Sequence, residues 1–155
     1  MPRVNFADKA YQALKHHIIT YQLKPGSTLS ISQLSSSLDM SQTPIREALN
    51  RLLQERFVAN QGKTFMVSTL DSIQIEELYE MRIILEVPAI RRAAGRIDER
   101  SIEKLEAILQ AVKSLLGEKR RAEIIELDFK FHATILKIGG NRLLGDIGEN
   151  ILDHV

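Results

Sequence analysis

Cysteine is absent from this chain of 155 residues. Disulfide bonds and thiolate-ligated metal sites are therefore excluded, and the redox compartment is left open. Long apolar runs are missing as well. No stretch is long enough to span a bilayer, and the opening "MPRVNFADKAYQALKHH" holds no apolar segment of signal-peptide length, so a cytoplasmic protein is expected. Internal repeats and low-complexity tracts are also lacking. So are a phosphate loop, a nucleophile elbow, a zinc-protease histidine pair and any evident acid/base pair of carboxylates. No enzymatic activity is expected.

What is present is ordinary for a soluble protein, with 44% apolar and 26% charged residues. The length suits one good core or two small domains. A net charge of +1 hides an asymmetry. Residues 1–70 carry 8 Lys+Arg against 4 Asp+Glu, whereas residues 71–155 carry 13 against 16. A basic front and an acidic back suit a nucleic-acid-binding half joined to something else.

The apolar pattern divides the chain at the same place. Phe6, Ala10, Leu14 and Ile18 mark a helix stripe over residues 6–22, ended by the Pro25-Gly26 turn. Ser30 or Ser32 can cap a short second helix reaching about Leu38. A third helix follows, from "SQTPIREALNRL" to about Arg56, with Ser41 as its N-cap. Pro44 then falls in the first turn, where backbone N–H groups have no intrahelical partner to lose. Two β-prone runs within 57–67 flank Gln61-Gly62-Lys63 and read as a hairpin. Beyond Asp71 the period is helical throughout, with helices expected near 72–95, 99–116, 121–139 and 141–154. The predicted fold is mostly α: a winged helix-turn-helix over 1–70 and an all-helical bundle over 71–155.

The third helix places Ile45, Ala48, Leu49, Leu52 and Leu53 on one side. Thr43, Arg46, Asn50, Arg51 and Gln54, with Glu47 among them, spread over the other. Side chains of that kind bond base edges and phosphates, and the first turn of such a helix can approach a phosphate.

In the back half, Asp128 and His132 are i and i+4 neighbours within the apolar arc of 121–139. A buried carboxylate needs compensation. Either a core Asp–His hydrogen bond or a divalent metal (zinc, nickel or manganese) would supply it, and both readings are open. Arg82 and Glu86 repeat the spacing within the apolar arc of 72–95. An intrahelical ion pair explains them, and a guanidinium that grips a carboxylate ligand is the functional reading. Pro88 is expected to bend that helix.

The run "LKPGSTLSISQLSSSLDMSQTPIREALNRLLQERFVANQGKTFMV" resembles the GntR-family winged helix, over about residues 8–68. The resemblance rests on the Pro-Gly turn, on "TPIREAL" and on the glycine wing. It implies DNA contacts from Gln42, Thr43 and Arg46 at the start of the third helix, and from Gln61, Gly62 and Lys63 at the wing tip. Ser32, Ser41 and Asn50 join this candidate set. Family members often carry arginine where this chain has Ser32 and Gln42, so weaker or less guanine-rich binding is expected.

"ELYEMRIILEVPAIRRAA" and "ELDFKFHATILKIGGNRLL" look like the FCD-type effector domain of the FadR-like branch. That resemblance implies a metal at Asp128 and His132, a small organic acid held by Arg82, and pairing into a homodimer. The usual last helices and their histidine ligands are not in the chain, so only half a metal site is expected. His154 is not expected to bind metal, and His16 and His17 are expected to be solvated or to face phosphate. The expectation is a ligand-responsive repressor that binds a pseudo-palindromic duplex operator as a dimer. A metal-dependent hydrolase, or a winged-helix interaction module that no longer reads DNA, are the alternatives.

Overall fold

The computed structural model describes residues 5–118 and 120–154. The chain divides between Thr69 and Leu70 into two compact units. The first contains α1 (Phe6–Ile19), β1 (Thr28–Leu29), α2 (Ile31–Ser37), α3 (Gln42–Gln54), β2 (Val58–Gln61) and β3 (Thr64–Val67).

Its core is built by α1 crossing α3. Ala10, Tyr11 and Leu14 meet Ile45, Ala48, Leu49 and Leu52, and the sheet adds Val58, Phe65 and Val67. Burying a leucine or isoleucine fully contributes about 1.5–3 kcal/mol, so these side chains hold the unit together. Phe6, counted in the apolar stripe from spacing alone, is instead 58% exposed, because it begins the helix directly after the N-cap Asn5. The helix also ends earlier than the expected residue 22. Thr20 turns its hydroxyl back onto the His16 carbonyl (2.7 Å), and Tyr21 takes a left-handed φ of 60°. That side-chain bond competes with helix continuation.

Three strands form an antiparallel sheet in the order β1-β3-β2. Thr28 faces Met66 and Leu29 faces Phe65, a pairing that residue periodicity did not reveal because the strand is only two residues long. Gln61 pairs with Thr64, so the hairpin closes through Gly62 and Lys63. Gly62 has φ +66°, which glycine adopts without the Cβ penalty. This hairpin is the wing.

The second unit holds α4 (Ser72–Ala94), α5 (Glu99–Leu115), α6 (Arg121–Gly139) and α7 (Arg142–Leu152). Each boundary has a chemical cause. Asp71 and Gln74 form a capping box, Asp98 caps α5, Gly140 ends α6 with φ +70°, and Asn141 caps α7. Helix α6 is central and touches α4, α5 and α7. Ala89, Leu136 and Leu152 form a small core, joined by Phe129 and Leu144. Where Gly139 of α6 meets Ala89 of α4, a Cβ on Gly139 would lie 2.9 Å from the Ala89 carbonyl oxygen, so only glycine fits. Just beyond, Arg92 Nε and Arg96 Nη1 both donate to the Gly139 carbonyl, at 3.0 and 3.2 Å. Two cations thus cap the negative end of α6. Helix α4 leaves Ile73, Ile83, Ile84 and Ile90 exposed.

Candidate nucleic-acid interface and an ionic chain in the helical unit

The third helix presents its polar face outward. Ile45, Ala48, Leu49 and Leu52 are buried, and Gln42, Thr43, Arg46, Glu47 and Asn50 are exposed. Ser41 is the N-cap, with φ −67° and ψ 163°, but its hydroxyl makes no capping bond. An N-cap serine normally satisfies one of the free amides of the first turn. Here the hydroxyl and the N–H groups of that turn stay available together, at the positive end of a 13-residue helix. Pro44 removes one donor from the turn and fixes its geometry.

The candidates nearby are distributed unevenly. Ser32 lies exposed in the first turn of α2, where its hydroxyl shares a 2.9 Å bond with Ser30. Gly62 and Lys63 are the exposed turn of the wing, whereas Gln61 is the last residue of β2 rather than part of the turn. Arg46 is exposed, with no bond to another described residue.

Arg51 differs from the other polar residues of the helix. Its Nη1 is 3.3 Å from Asp8 Oδ1, its Nε is 3.3 Å from Glu55 Oε1, and its Cζ lies 3.6 Å from the centre of the Tyr11 ring. Tyr11 in turn donates its hydroxyl to Glu55 Oε2 at 2.6 Å. Burial, with the Glu55 carboxylate next to it, raises the Tyr11 pKa above its ordinary value. Arg51 therefore locks α3 onto α1. Of the histidines of α1, His16 is exposed as expected, and His17 departs from expectation. His17 is half-buried rather than solvated, and burial first, then the charge of His16, lowers its pKa.

In the helical unit, two pairs that looked separate in the sequence form one chain. Arg82 Nε donates to Glu86 Oε1 at 2.7 Å, and His132 Nδ1 lies 2.6 Å from Glu86 Oε2. On its other side His132 Nε2 stands 3.7 Å from Asp128 Oδ1. The sequence marks each pair through i, i+4 spacing, but carries no signal for the long-range contact between α4 and α6.

Asp128 itself requires a correction. The apolar arc predicted a buried carboxylate, and its side chain is instead 62% exposed. Helical periodicity reports the direction a side chain points, not whether another element covers that turn. Among the described residues none covers it, so water solvates the carboxylate and no burial cost arises. Nor does a core Asp–His hydrogen bond form, since 3.7 Å separates His132 Nε2 from Asp128 Oδ1. Thr134, by contrast, is buried, and its hydroxyl donates to the Lys130 carbonyl.

The donor set bears on a metal. When Nδ1–H is given to Glu86, Nε2 faces the Asp128 carboxylate, and without a proton on Nε2 two acceptors oppose each other. A proton or a cation between them relieves that opposition. A carboxylate behind the imidazole is the usual support for a metal-binding histidine. The pair fits a divalent cation in donor type, as part of a full ligand set. Among the described residues no cluster of three or more His, Asp or Glu side chains converges to complete one. Arg82 keeps its Nη groups unbonded to any described residue, half-buried and with Cζ 5.5 Å from the Tyr79 ring centre.

Comparison with known proteins agrees with both halves. Residues 6–67 match the model for bacterial regulatory proteins of the gntR family, and residues 77–155 match the FCD domain. The Nta operon transcriptional regulator of Aminobacter aminovorans is 35% identical over 141 residues, covering 88% of this chain and 65% of its own length. The HTH-type transcriptional regulator YdhC of Bacillus subtilis is 32% identical over 147 residues, covering 94% of this chain and 64% of its own. The chain thus spans about two thirds of the length of these relatives. Among solved structures, Escherichia coli McbR/YncC superimposes with a TM-score of 0.85 at 25% identity, over 97% of this chain and 71% of that one. These relatives are regulators, not enzymes, and the hydrolase alternative loses its support.

Proposed function

This chain belongs to the GntR family of bacterial regulators, in the FadR-like branch that carries an FCD domain, and from that premise we propose that it is a transcriptional regulator that binds duplex DNA through α3 and the wing. The observation that carries the reading is the start of α3. An uncommitted Ser41 hydroxyl, free first-turn amides and Arg46, which no described residue pairs, lie together on an exposed surface. A phosphate at that helix end meets donors already arranged for it. Arg46 then reaches a phosphate at the rim of the groove, Asn50 faces the groove, and Gln42 and Thr43 supply hydrogen bonds at its edge. Gly62 and Lys63 reach the flanking backbone. With Ser32 and Gln42 in place of arginines, fewer phosphates are neutralised and the salt dependence is shallower.

Two copies, paired through their helical units, would place two α3 helices about 34–36 Å apart, one turn of B-DNA, on a pseudo-palindromic operator. The exposed isoleucines of α4 support pairing, because a helix apolar on more than one face needs a second partner. A small carboxylate is the proposed effector. Arg82 would grip it through its free Nη groups, while Glu86 fixes the guanidinium. Asp128 and His132 would hold a divalent cation, which supplies a Lewis-acidic anchor for the same acid. Effector binding would bias the arrangement of the DNA-binding halves and so release the operator. A winged helix that no longer reads DNA is the competing account.

Selection from a random duplex library tests the first part. The proposal expects a motif with two related half-sites, and enrichment of no motif sinks it. Native mass spectrometry with and without a chelator tests the second. Dimers carrying a chelator-sensitive metal are expected, and metal-free monomers overturn this part alone.

A further inference from the structure

We infer that Glu47 is a specificity-determining residue that accepts a hydrogen bond from a cytosine amino group in the major groove. The inference rests on the DNA-binding reading above and deepens it.

Its starting point is position. The buried residues Ile45, Ala48, Leu49 and Leu52 define the inward direction of α3. At about 100° per residue, Thr43, Gln54 and Glu47 fall within about 30° of the opposite direction, and Asn50 lies close beside them. Arg46 stands about 70° away, on the rim. The centre of the outward face therefore carries a carboxylate, with the cations at its edges.

Its second basis is the lack of an intrachain role. Glu47 is exposed, and no described residue bonds to it. The natural partner would be Arg51, four residues on, in the favourable glutamate-first order. That arginine is committed elsewhere, to Asp8, Glu55 and the Tyr11 ring. Glu47 also lies past the first turn of α3, so the helix dipole does little for it. The helix gains nothing evident from this charge.

On a surface that approaches phosphates, a free carboxylate is repelled unless it meets a donor. The major groove offers donors on two bases, the N4 amino group of cytosine and the N6 amino group of adenine. A carboxylate accepts but cannot donate, so it satisfies cytosine N4 without needing the second, acceptor contact that adenine N7 would ask of an amide. It also opposes a guanine at the same position, whose N7 and O6 are both acceptors. Glu47 thus selects by attraction to one base and repulsion from another. It also weakens binding to every non-matching sequence, which lowers non-specific occupancy.

The test uses the full chain and its Glu47→Ala and Glu47→Gln variants. Each is first checked for an unchanged melting temperature, as expected for an exposed side chain. Each is then put through selection on random duplexes and competition titrations. For the wild-type chain one cytosine per half-site is expected. Glu47→Ala should lose roughly 5- to 100-fold of discrimination at that pair while binding scrambled duplex at least as tightly. Glu47→Gln should move the preference toward adenine, whose N6 and N7 an amide pairs with. If Glu47→Ala keeps the wild-type preference at every position, or weakens matching and scrambled duplexes equally, the inference is overturned and DNA binding itself stands. If the wild-type chain shows no sequence preference, both this inference and the reading beneath it fail.

Discussion

Glu86 Oε2 and His132 Nδ1 lie 2.6 Å apart, and this contact joins α4 to α6. The other oxygen of the same carboxylate accepts from Arg82. One side chain therefore orients both the guanidinium proposed to hold an acid and the imidazole proposed to hold a cation. Glu86 acts as a positioning residue between two candidate ligand-binding groups.

Removing it should be felt in stability before any ligand is added. Glu86→Ala leaves Arg82 and His132, both mostly buried, without their acceptor, and should destabilise the helical unit by about 1–3 kcal/mol. Glu86→Gln keeps one acceptor oxygen and should cost less. Urea unfolding followed by circular dichroism measures both, and equal stability of the three proteins would show that the contact holds nothing in place.

Two glycines should respond in opposite directions to the same substitution. Gly139→Ala puts a Cβ 2.9 Å from the Ala89 carbonyl oxygen and 3.3 Å from its Cα. Backbone atoms cannot swing away as a side chain can, so α4 and α6 must separate, at a cost of about 1–3 kcal/mol. Gly145 sits inside α7 with nothing within 4 Å of its ideal Cβ. Gly145→Ala should stabilise by about 0.5–1 kcal/mol through helix propensity. Melting temperatures of the two variants should move apart.

His17 gives the winged-helix unit a pH dependence. Burial lowers its pKa in the folded state below the ordinary 6.5, so near and below that value the unfolded chain binds more protons. Stability attributable to this residue is therefore constant above the ordinary pKa. It declines as the pH falls from there toward the lowered folded value. A His17→Gln variant should show a flatter profile between neutral and mildly acidic pH, and an equally steep profile would assign the dependence to another group.

The elements that were legible in the sequence are those with a local cause. The Ser41 N-cap and the apolar stripe of α3 each depend on neighbours within one or two turns, and each helix of the second unit begins within about two residues of its expected start. Strand β1 was not legible, because two residues carry no period and its pairing with Thr64–Val67 is a long-range event. The same holds for the site. Spacing marked Arg82 with Glu86, and Asp128 with His132, but the 2.6 Å contact that unites them depends on how α4 packs on α6. Asp128 was misjudged for the complementary reason: its direction was right, and its cover was assumed.

The contrast between Arg46 and Arg51 offers the most direct test of the central claim, that the start of α3 and the wing meet duplex DNA. Both are exposed arginines of one helix, yet Arg51 is committed to Asp8, Glu55 and Tyr11 while Arg46 bonds none of the described residues. The measurement is the slope of log affinity against log salt for a selected duplex, in wild-type, Arg46→Ala, Lys63→Ala and Arg51→Ala proteins. The account predicts that Arg46→Ala and Lys63→Ala each reduce the slope by about one, the loss of a single phosphate contact. Arg51→Ala should lower the melting temperature and leave the slope unchanged. Unchanged slopes for Arg46→Ala and Lys63→Ala, or a reduced slope for Arg51→Ala alone, would contradict it.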